Sequence, residues 1–459
     1  MSAVPATAFA DEYRRFVAQL PGKVRSRYHP EYASWHRQAS WNGRHFSRYP
    51  ELIVHAATVD DIVATVKFAA QRQHRVSVRA GGHSYAGCFL QDNGILLDIS
   101  ALREIEVDPQ RAVARIGPGV TGRQLTNALL PHGLAFPTGH GGDVGLSGFL
   151  LGGGLGINST AWGPMSVFNI IGVDVVMADG SVRHASADAH PDLFWAARGG
   201  GPGLFFVVTG FYLRCHALPR AISNHIYGLP ARALPQLIDA IDGHDWDPRL
   251  QIMLGMGRPQ GENDPHALVL NVLAFGDSAA DADAMQAALA KRLPPSLFTV
   301  LAALPQVSFE DIYRQSEAML VSKNYRTDNV FTDRPQDAAD ILASHLPAMP
   351  AVAGMTLMIW RGRQALPDAA YSVSGRCFIS TYLQWNEDAD DERNRQWLAR
   401  VYDRLAPLST GSYVNEFDLE GRQARIARCY SAQSWERLQR LRRQYDAHAV
   451  FHALEGPGR

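Results

Sequence analysis

Residues 74–80, HRVSVRA, alternate β-branched with polar side chains and then stop at two adjacent glycines, Gly81 and Gly82. Alternation of this kind specifies a strand. Paired glycines at its end admit positive φ and the close approach of another group, and exposed amides at a strand end suit phosphate oxygens. His83 follows that turn, in the stretch Arg79-Ala80-Gly81-Gly82-His83-Ser84-Tyr85-Ala86-Gly87, rather than standing in an apolar repeat. On these residues alone two readings remain open: a turn with a solvated or structural histidine, or a ligand-contacting loop with a reactive one.

The chain has 459 residues, enough for two or three domains, with two the better reading. Its formal net charge of −1 gives no electrostatic reason to expect nucleic acid or an anionic membrane as partner. The start, MSAVPATAFADEYRRF, lacks a basic segment followed by a long apolar run, and no stretch has the apolar length of a membrane span, so a cytoplasmic protein is expected. The four cysteines, Cys88, Cys215, Cys377 and Cys429, lie far apart without a C-x-x-C pair and read as reduced thiols. The seventeen histidines form no H-x-x-x-H or H-E-x-x-H pattern, so no metal centre is expected.

Along the chain, TVDDIVATVKFAAQRQH reads as an amphipathic helix, with Thr58 and Asp61 at capping-box spacing. Strand-like RVSVRA, GILLDIS and AVARIG surround the histidine loop, and GRQLTNALLPHG is a helix closed by Gly133. FNIIGVDVVMADGSVRHAS has a hairpin pattern around Ala178-Asp179-Gly180. HPDLFWAARGGG gives a short helix, and LFFVVTGFYLRC a long strand. From about residue 218 strands and helices alternate: LQIMLGMG, HALVLNVLAFG, SAADADAMQAALAKRL, TLMIW, RCFISTYLQW and DADDERNRQWLARVYDRL, an α+β pattern with an antiparallel sheet. The tail reads as a strand or loop, GSYVNEFDLEGRQ, and then a helix whose arginines form a solvated face.

A G-x-G-x-x-G match at Gly117–Gly122 reads as a turn between strand and helix. Pro118 removes an amide from any phosphate cradle, and Asp143, at the expected separation, lies in a glycine-rich segment instead of at a strand end. That segment, residues 139–163, is dense in glycine yet apolar, as expected where a backbone meets a large ligand or a crowded packing contact.

RAGGHSYAG, DVGLSGFLLGGGLG, DLFWAARGGGPG before VVTGFYL, and YVN followed by a helix and AVFH occur in the order and at the separations found in one family. The chain resembles the berberine bridge enzyme-like branch of the vanillyl-alcohol oxidase flavoproteins. The resemblance covers most of the chain. It implies an α+β fold: a two-part PCMH-type FAD-binding domain formed by residues 1–217 and 410–459, with a substrate domain of antiparallel sheet plus helices inserted at 218–409.

The resemblance also implies roles. FAD would contact Arg79, Ala80, Gly81, Gly82, His83, Ser84 and Gly87 in the first loop. Gly139, Val144, Gly145, Gly148 and Gly153 would meet it from the glycine-rich segment, with Val208 and Asn415 from further along. His83 matches the histidine joined to the flavin. Relatives with a second, cysteinyl link carry C-P-x-V-G where this chain reads Gly141-Gly142-Asp143-Val144-Gly145, so a single link is implied. Val144 stands where a small side chain is associated with oxygen access, which favours an oxidase.

The departures shape the expected site. Ser159-Thr160-Ala161-Trp162-Gly163 replaces an R-K-Y-G-like stretch, and Phe206 stands where relatives usually have glycine. Glu416 replaces the last tyrosine of the family's Y-x-N-Y, a position near the substrate, so it becomes the expected general base if burial raises its pKa. In an extended segment Val414 and Glu416 would share one face and Tyr413 and Asn415 the other. Period-2 alternation puts Phe378, Ser380, Tyr382 and Gln384 on one strand face, and Tyr382 is expected to orient a hydroxyl or phenol. Tyr413 completes the candidate catalytic set with Glu416 and Tyr382.

The expected reaction is hydride transfer to FAD from a C–H beside oxygen or nitrogen in a small cyclic or aromatic metabolite, with reoxidation by O2 to hydrogen peroxide. An oxidative cyclase or oxygenase of secondary metabolism, and a flavin-binding protein without turnover, are the alternatives.

Overall fold

The computed structural model describes residues 6–259, 264, 267–294 and 296–453. The first three-layer unit grows from the histidine loop's own strand. Val76–Arg79 pairs in parallel with Ile95–Asp98, which pairs in parallel with Leu52–His55, and Val24–Ser26 adds an antiparallel edge. Parallel neighbours need a crossover, and the helix Val59–Arg72 supplies it. Its start is the expected capping box: Thr58 accepts from the Asp61 amide while Asp61 accepts from the Thr58 amide, an arrangement that contributes about 1 kcal/mol.

A second, five-stranded antiparallel sheet runs in the order Ile105–Asp108, Val113–Ile116, Phe206–Arg214, Ile170–Met177, Val182–Ser186. The last two form the expected hairpin. In the G-x-G-x-x-G turn the Gly117 and Gly119 amides donate to the Glu104 and Leu102 carbonyls, so neither is free for a phosphate.

The third sheet has eight strands and is antiparallel throughout. Its centre follows from alternation in sequence. In Leu250–Met256 the side chains of Leu250, Ile252, Leu254 and Met256 enter a core covered by the helices Leu234–Ile241, Ala279–Ala290, Pro335–His345 and Asp391–Leu405, whereas Gln251, Met253 and Gly255 face the other way. That second face looks toward the glycine-rich loops of the N-terminal half.

One strand of this sheet, Asn324–Thr332, was not expected. Its sequence NYRTDNVFT is mostly polar, yet every residue is buried. Burial of polar groups is tolerated where each finds a partner. Asn329 donates from Nδ2 to the Tyr413 carbonyl (2.8 Å) and accepts the Tyr413 amide at Oδ1 (2.7 Å), and Ser412 Oγ donates to the Asn329 carbonyl (3.0 Å). Thr327 Oγ1 donates to the Glu416 carbonyl (3.1 Å), and Arg422 Nη1 pairs with Asp328 Oδ2 (2.5 Å). Burial holds the Asp328 carboxyl up to about 7, so the Arg422 guanidinium is the partner that makes it tolerable there.

The C-terminal segment touches both halves. Ser409–Gly411 pairs with the polar strand, and Val450 and His452 bond to either side of Val76. The arginines of the helix Ala432–Tyr445 divide: Arg440 and Arg443 are exposed, as expected, whereas Arg437 and Arg442 are partly buried against neighbouring groups. Arg437 lies 4.2 Å from the centre of the Trp195 ring and pairs with Asp192 (2.9 Å), and Arg442 donates to the Gly203 carbonyl. These long side chains bury their stems and clamp the tail. All four cysteines are free. Among the described residues no helix is long and apolar enough to cross a membrane.

Arg422→Ala should lower the unfolding free energy by about 3–5 kcal/mol, because it strands a buried carboxylate. A urea titration followed by tryptophan fluorescence checks this, and a loss below about 1 kcal/mol, the scale of a surface pair, contradicts it.

Candidate active site

A cavity of about 720 Å³ opens between the histidine loop, the glycine-rich segment, the C-terminal turn and the outward face of the large sheet. Its floor depends on two glycines. A Cβ on Gly81 would lie 2.9 Å from Gly145 Cα, and one on Gly145 would lie 2.8 Å from Gly81 Cα. Any side chain at either position would force the two loops apart, so the RAGGHS loop and the glycine-rich segment join as one surface only as the sequence stands.

His83 projects from this floor. Its ring stacks on Trp41 (centroids 5.4 Å apart, planes 20° apart), and Trp41 stacks in turn on Tyr325 of the polar strand (4.7 Å). Asn42 adds a tether, donating to the Tyr85 and Tyr325 carbonyls (2.9 Å each). Burial, then the nearby Arg79 cation, lower the His83 pKa to about 4. The imidazole is therefore neutral at pH 7. Arg79 is itself fixed, pairing with Asp98 (2.9 Å) and donating to the Ala39 carbonyl (3.0 Å).

Glu416 faces the floor from the tail. Residues Val414–Glu416 form a single 3₁₀ turn, not the expected extended segment, with the Glu416 amide bonded to the Tyr413 carbonyl (3.2 Å). The polar strand imposes that turn, because Asn329 takes both backbone groups of Tyr413 and Thr327 takes the Glu416 carbonyl. In a 3₁₀ turn residues three apart eclipse, so Tyr413 and Glu416 come to one side, and both border the cavity. Glu416 Oε2 accepts from Ser380 Oγ and Tyr382 OH, each at 2.7 Å. Burial raises its pKa above the usual carboxylate range, and the two hydroxyl donors pull it back only in part. Among the described residues Glu416 Oε1 has no hydrogen-bond partner.

The three candidate catalytic residues thus divide. Tyr382 donates to Glu416 and packs edge-on to Tyr85 (6.0 Å). Burial, then the Glu416 charge, push its phenol well up, so it stays protonated. Tyr413 turns its hydroxyl to the Leu155 amide (3.4 Å) and to Asn415 Nδ2 (2.9 Å). Asn415 borders the cavity, but its Nδ2 is also held by the Phe149 carbonyl (3.0 Å).

Of the expected cofactor contacts, Arg79 through Ser84, Gly139, Val144, Gly145, Gly148 and Val208 border the cavity. Gly87 packs on the Phe46 ring and Gly153 on the Tyr371 ring, both behind the wall. Sequence reasoning passed over Trp41, Asn42 and the polar strand; only Ser380 had a signal, its shared strand face with Tyr382. It also passed over His140, whose Nε2 lies 2.8 Å from Gln251 Nε2 and whose pKa burial, then Arg361, lower to about 4.

The loop also fits a dinucleotide. Among the described residues the consecutive amides of Gly81, Gly82, His83, Ser84 and Tyr85 donate to no protein acceptor. Buried or half-buried amides in such a run form a nest for anionic oxygens. Residues 50–186 match a family model described as an FAD binding domain. The moss protein Physcomitrella patens BBE-like 1 superposes with a TM-score of 0.81 over 97% of this chain and 98% of that one, at 19% identity, which establishes the fold.

The chain is an FAD-dependent oxidoreductase with the berberine bridge enzyme-like fold. The FAD-linked oxidoreductase nodO of Hypoxylon pulicicidum is 29% identical over 88% of this chain and 91% of its own length. The (R)-6-hydroxynicotine oxidase of Paenarthrobacter nicotinovorans is 37% identical over 44% of this chain and 45% of its own.

Proposed function

We propose that this flavoprotein is an oxidase that dehydrogenates an alcohol or amine carbon of a small cyclic or aromatic metabolite, with Glu416 as general base and His83 as the sole covalent tether of FAD. The observation that carries the reading is the buried Glu416 carboxylate, held by Ser380 and Tyr382 in the wall of the cavity that His83 also borders. Bound FAD supplies the redox chemistry, accepting a hydride from the substrate and passing the electrons to dioxygen to give hydrogen peroxide.

The protein's part is proton handling and orientation. Glu416 Oε1 takes the proton from the substrate O–H or N–H as the adjacent C–H is lost. Ser380 and Tyr382 fix the carboxylate plane and stabilise its charge before the substrate binds. The Asn329 and Thr327 bonds keep the turn from swinging away. Neutral His83 offers an imidazole lone pair without first losing a proton, and Gly141 leaves no thiol for a second link. The (R)-6-hydroxynicotine oxidase, alike over 44% of this chain, is named for a cyclic nitrogenous substrate, which is the class favoured here.

Two outcomes follow. In an anaerobic screen of alcohols and amines, Glu416→Gln should keep its flavin while bleaching on the order of 10²-fold more slowly than the parent. In the parent, the base must be ionised, so kcat/KM should fall as pH drops through a group titrating above the ordinary carboxylate value; Glu416→Gln should lose that limb. Equal bleaching rates would remove Glu416 from the reaction. Acid precipitation should leave the yellow colour in the pellet of the parent and in the supernatant of His83→Ala; a colourless parent pellet contradicts the tether.

A further inference from the structure

Gly255 is the penultimate residue of the strand Leu250–Met256, paired with a neighbouring strand on either side, on the sheet face that borders the cavity. Nothing in the fold requires glycine there. Its φ is not positive, and a Cβ would meet only the Val269 carbonyl oxygen at 3.6 Å and Leu357 Cδ2 at 3.7 Å, ordinary contacts. Other glycines of the same sheet are different: a Cβ on Gly276 would lie 2.6 Å from the Ser278 carbonyl oxygen, and one on Gly411 2.6 Å from the Val373 side chain. A strand glycine weakens the strand, and one without a backbone or packing cause marks close approach by another group.

The register says how far this notch lies from the base. Gly255 pairs with Leu357, Leu357 pairs with Ser380, and Ser380 Oγ touches Glu416. Two strand spacings make about 10 Å. The wall beside the notch is apolar, with Val269 and Leu357 flanking it and Met253 and Met355 on adjoining rows. One polar side chain interrupts it: Asn271, paired with Met253, holds a buried Oδ1 without a hydrogen-bond partner. No charged side chain lies on the cavity-facing positions of the strands Leu250–Met256, Leu268–Gly276 and Met355–Trp360.

We infer that Gly255 is the specificity notch of the substrate site, and that the substrate is a flat, uncharged, largely apolar fused-ring molecule. Its rings lie face-on against the notch, one edge reaches Glu416, and one O–H or N–H donates to Asn271 Oδ1. Flexible methionines adapt to the rim of such a ring system. An oligosaccharide would leave its many hydroxyls unpaired on this wall. The inference rests on the reading that this cavity holds the substrate.

The test uses the FAD-loaded protein and three probes read by the flavin difference spectrum, without turnover, 2-naphthol, decan-1-ol and cellobiose, with naphthalene as a hydroxyl-free control. The parent should bind 2-naphthol saturably and more tightly than the other two. Gly255→Leu should weaken it roughly tenfold or more, with Gly255→Ala between, while flavin content and the thermal midpoint are not lowered. Asn271→Leu should weaken 2-naphthol but not naphthalene. Absence of saturable 2-naphthol binding to the parent, equal binding by the parent and both Gly255 variants, or cellobiose binding as tightly as 2-naphthol would overturn the inference. Because no proton or hydride moves, a failed base assignment for Glu416 leaves this titration unchanged, and the two failures are distinguishable.

Discussion

The buried polar strand Asn324–Thr332 is the shared reference from which both walls of the site are set. On one side Tyr325 supports Trp41 and, through Asn42, the loop that carries His83. On the other, Thr327 and Asn329 bond to the backbone of the turn that carries Glu416. His83 and Glu416 come from positions 333 residues apart in the chain. Directional bonds to a single strand fix their separation better than apolar contacts, which tolerate sliding.

The polar groups of the neighbouring strand Cys377–Trp385 ease a tension in the site. Glu416 must be buried enough for its pKa to rise and yet be held in one orientation. Burial penalises the charge, and the Ser380 and Tyr382 hydroxyls return part of that loss. His83 is the mirror case: burial and the Arg79 cation disfavour its protonated form. One wall thus presents a proton acceptor and the other an uncharged imidazole, both produced by the same exclusion of water.

What the sequence disclosed followed from local chemistry. The capped helix at Thr58, the 170–186 hairpin, the strand before Gly81 and the alternating 250–256 strand are visible in a few adjacent residues, and the structure has them all. The RAGGHS loop and the glycine-rich segment were recognisable as a pair, although the 2.8–2.9 Å clearance between Gly81 and Gly145 that makes them one floor is a tertiary fact. NYRTDNVFT was not legible as a strand because its polar residues are held by partners from some sixty to nearly three hundred positions away in the chain. For the same reason the 414–416 segment was expected to be extended: its turn is imposed by Asn329 and Thr327, not by its own residues. Two of the tail arginines, Arg437 and Arg442, misled in a similar way, since a basic helix face reads as solvated until Trp195, Asp192 and the Gly203 carbonyl are brought beside it.

A crystal structure of the FAD-loaded enzyme tests most directly whether the polar strand sets a flavin between two prepared walls. The expected result has phosphate oxygens on the 81–85 amides, the flavin ring bounded by His83 and Val144, and Glu416 across the remaining space in line with Gly255. A flavin seated away from the His83 loop, or a Glu416 carboxylate screened from the ring by other side chains, would contradict it.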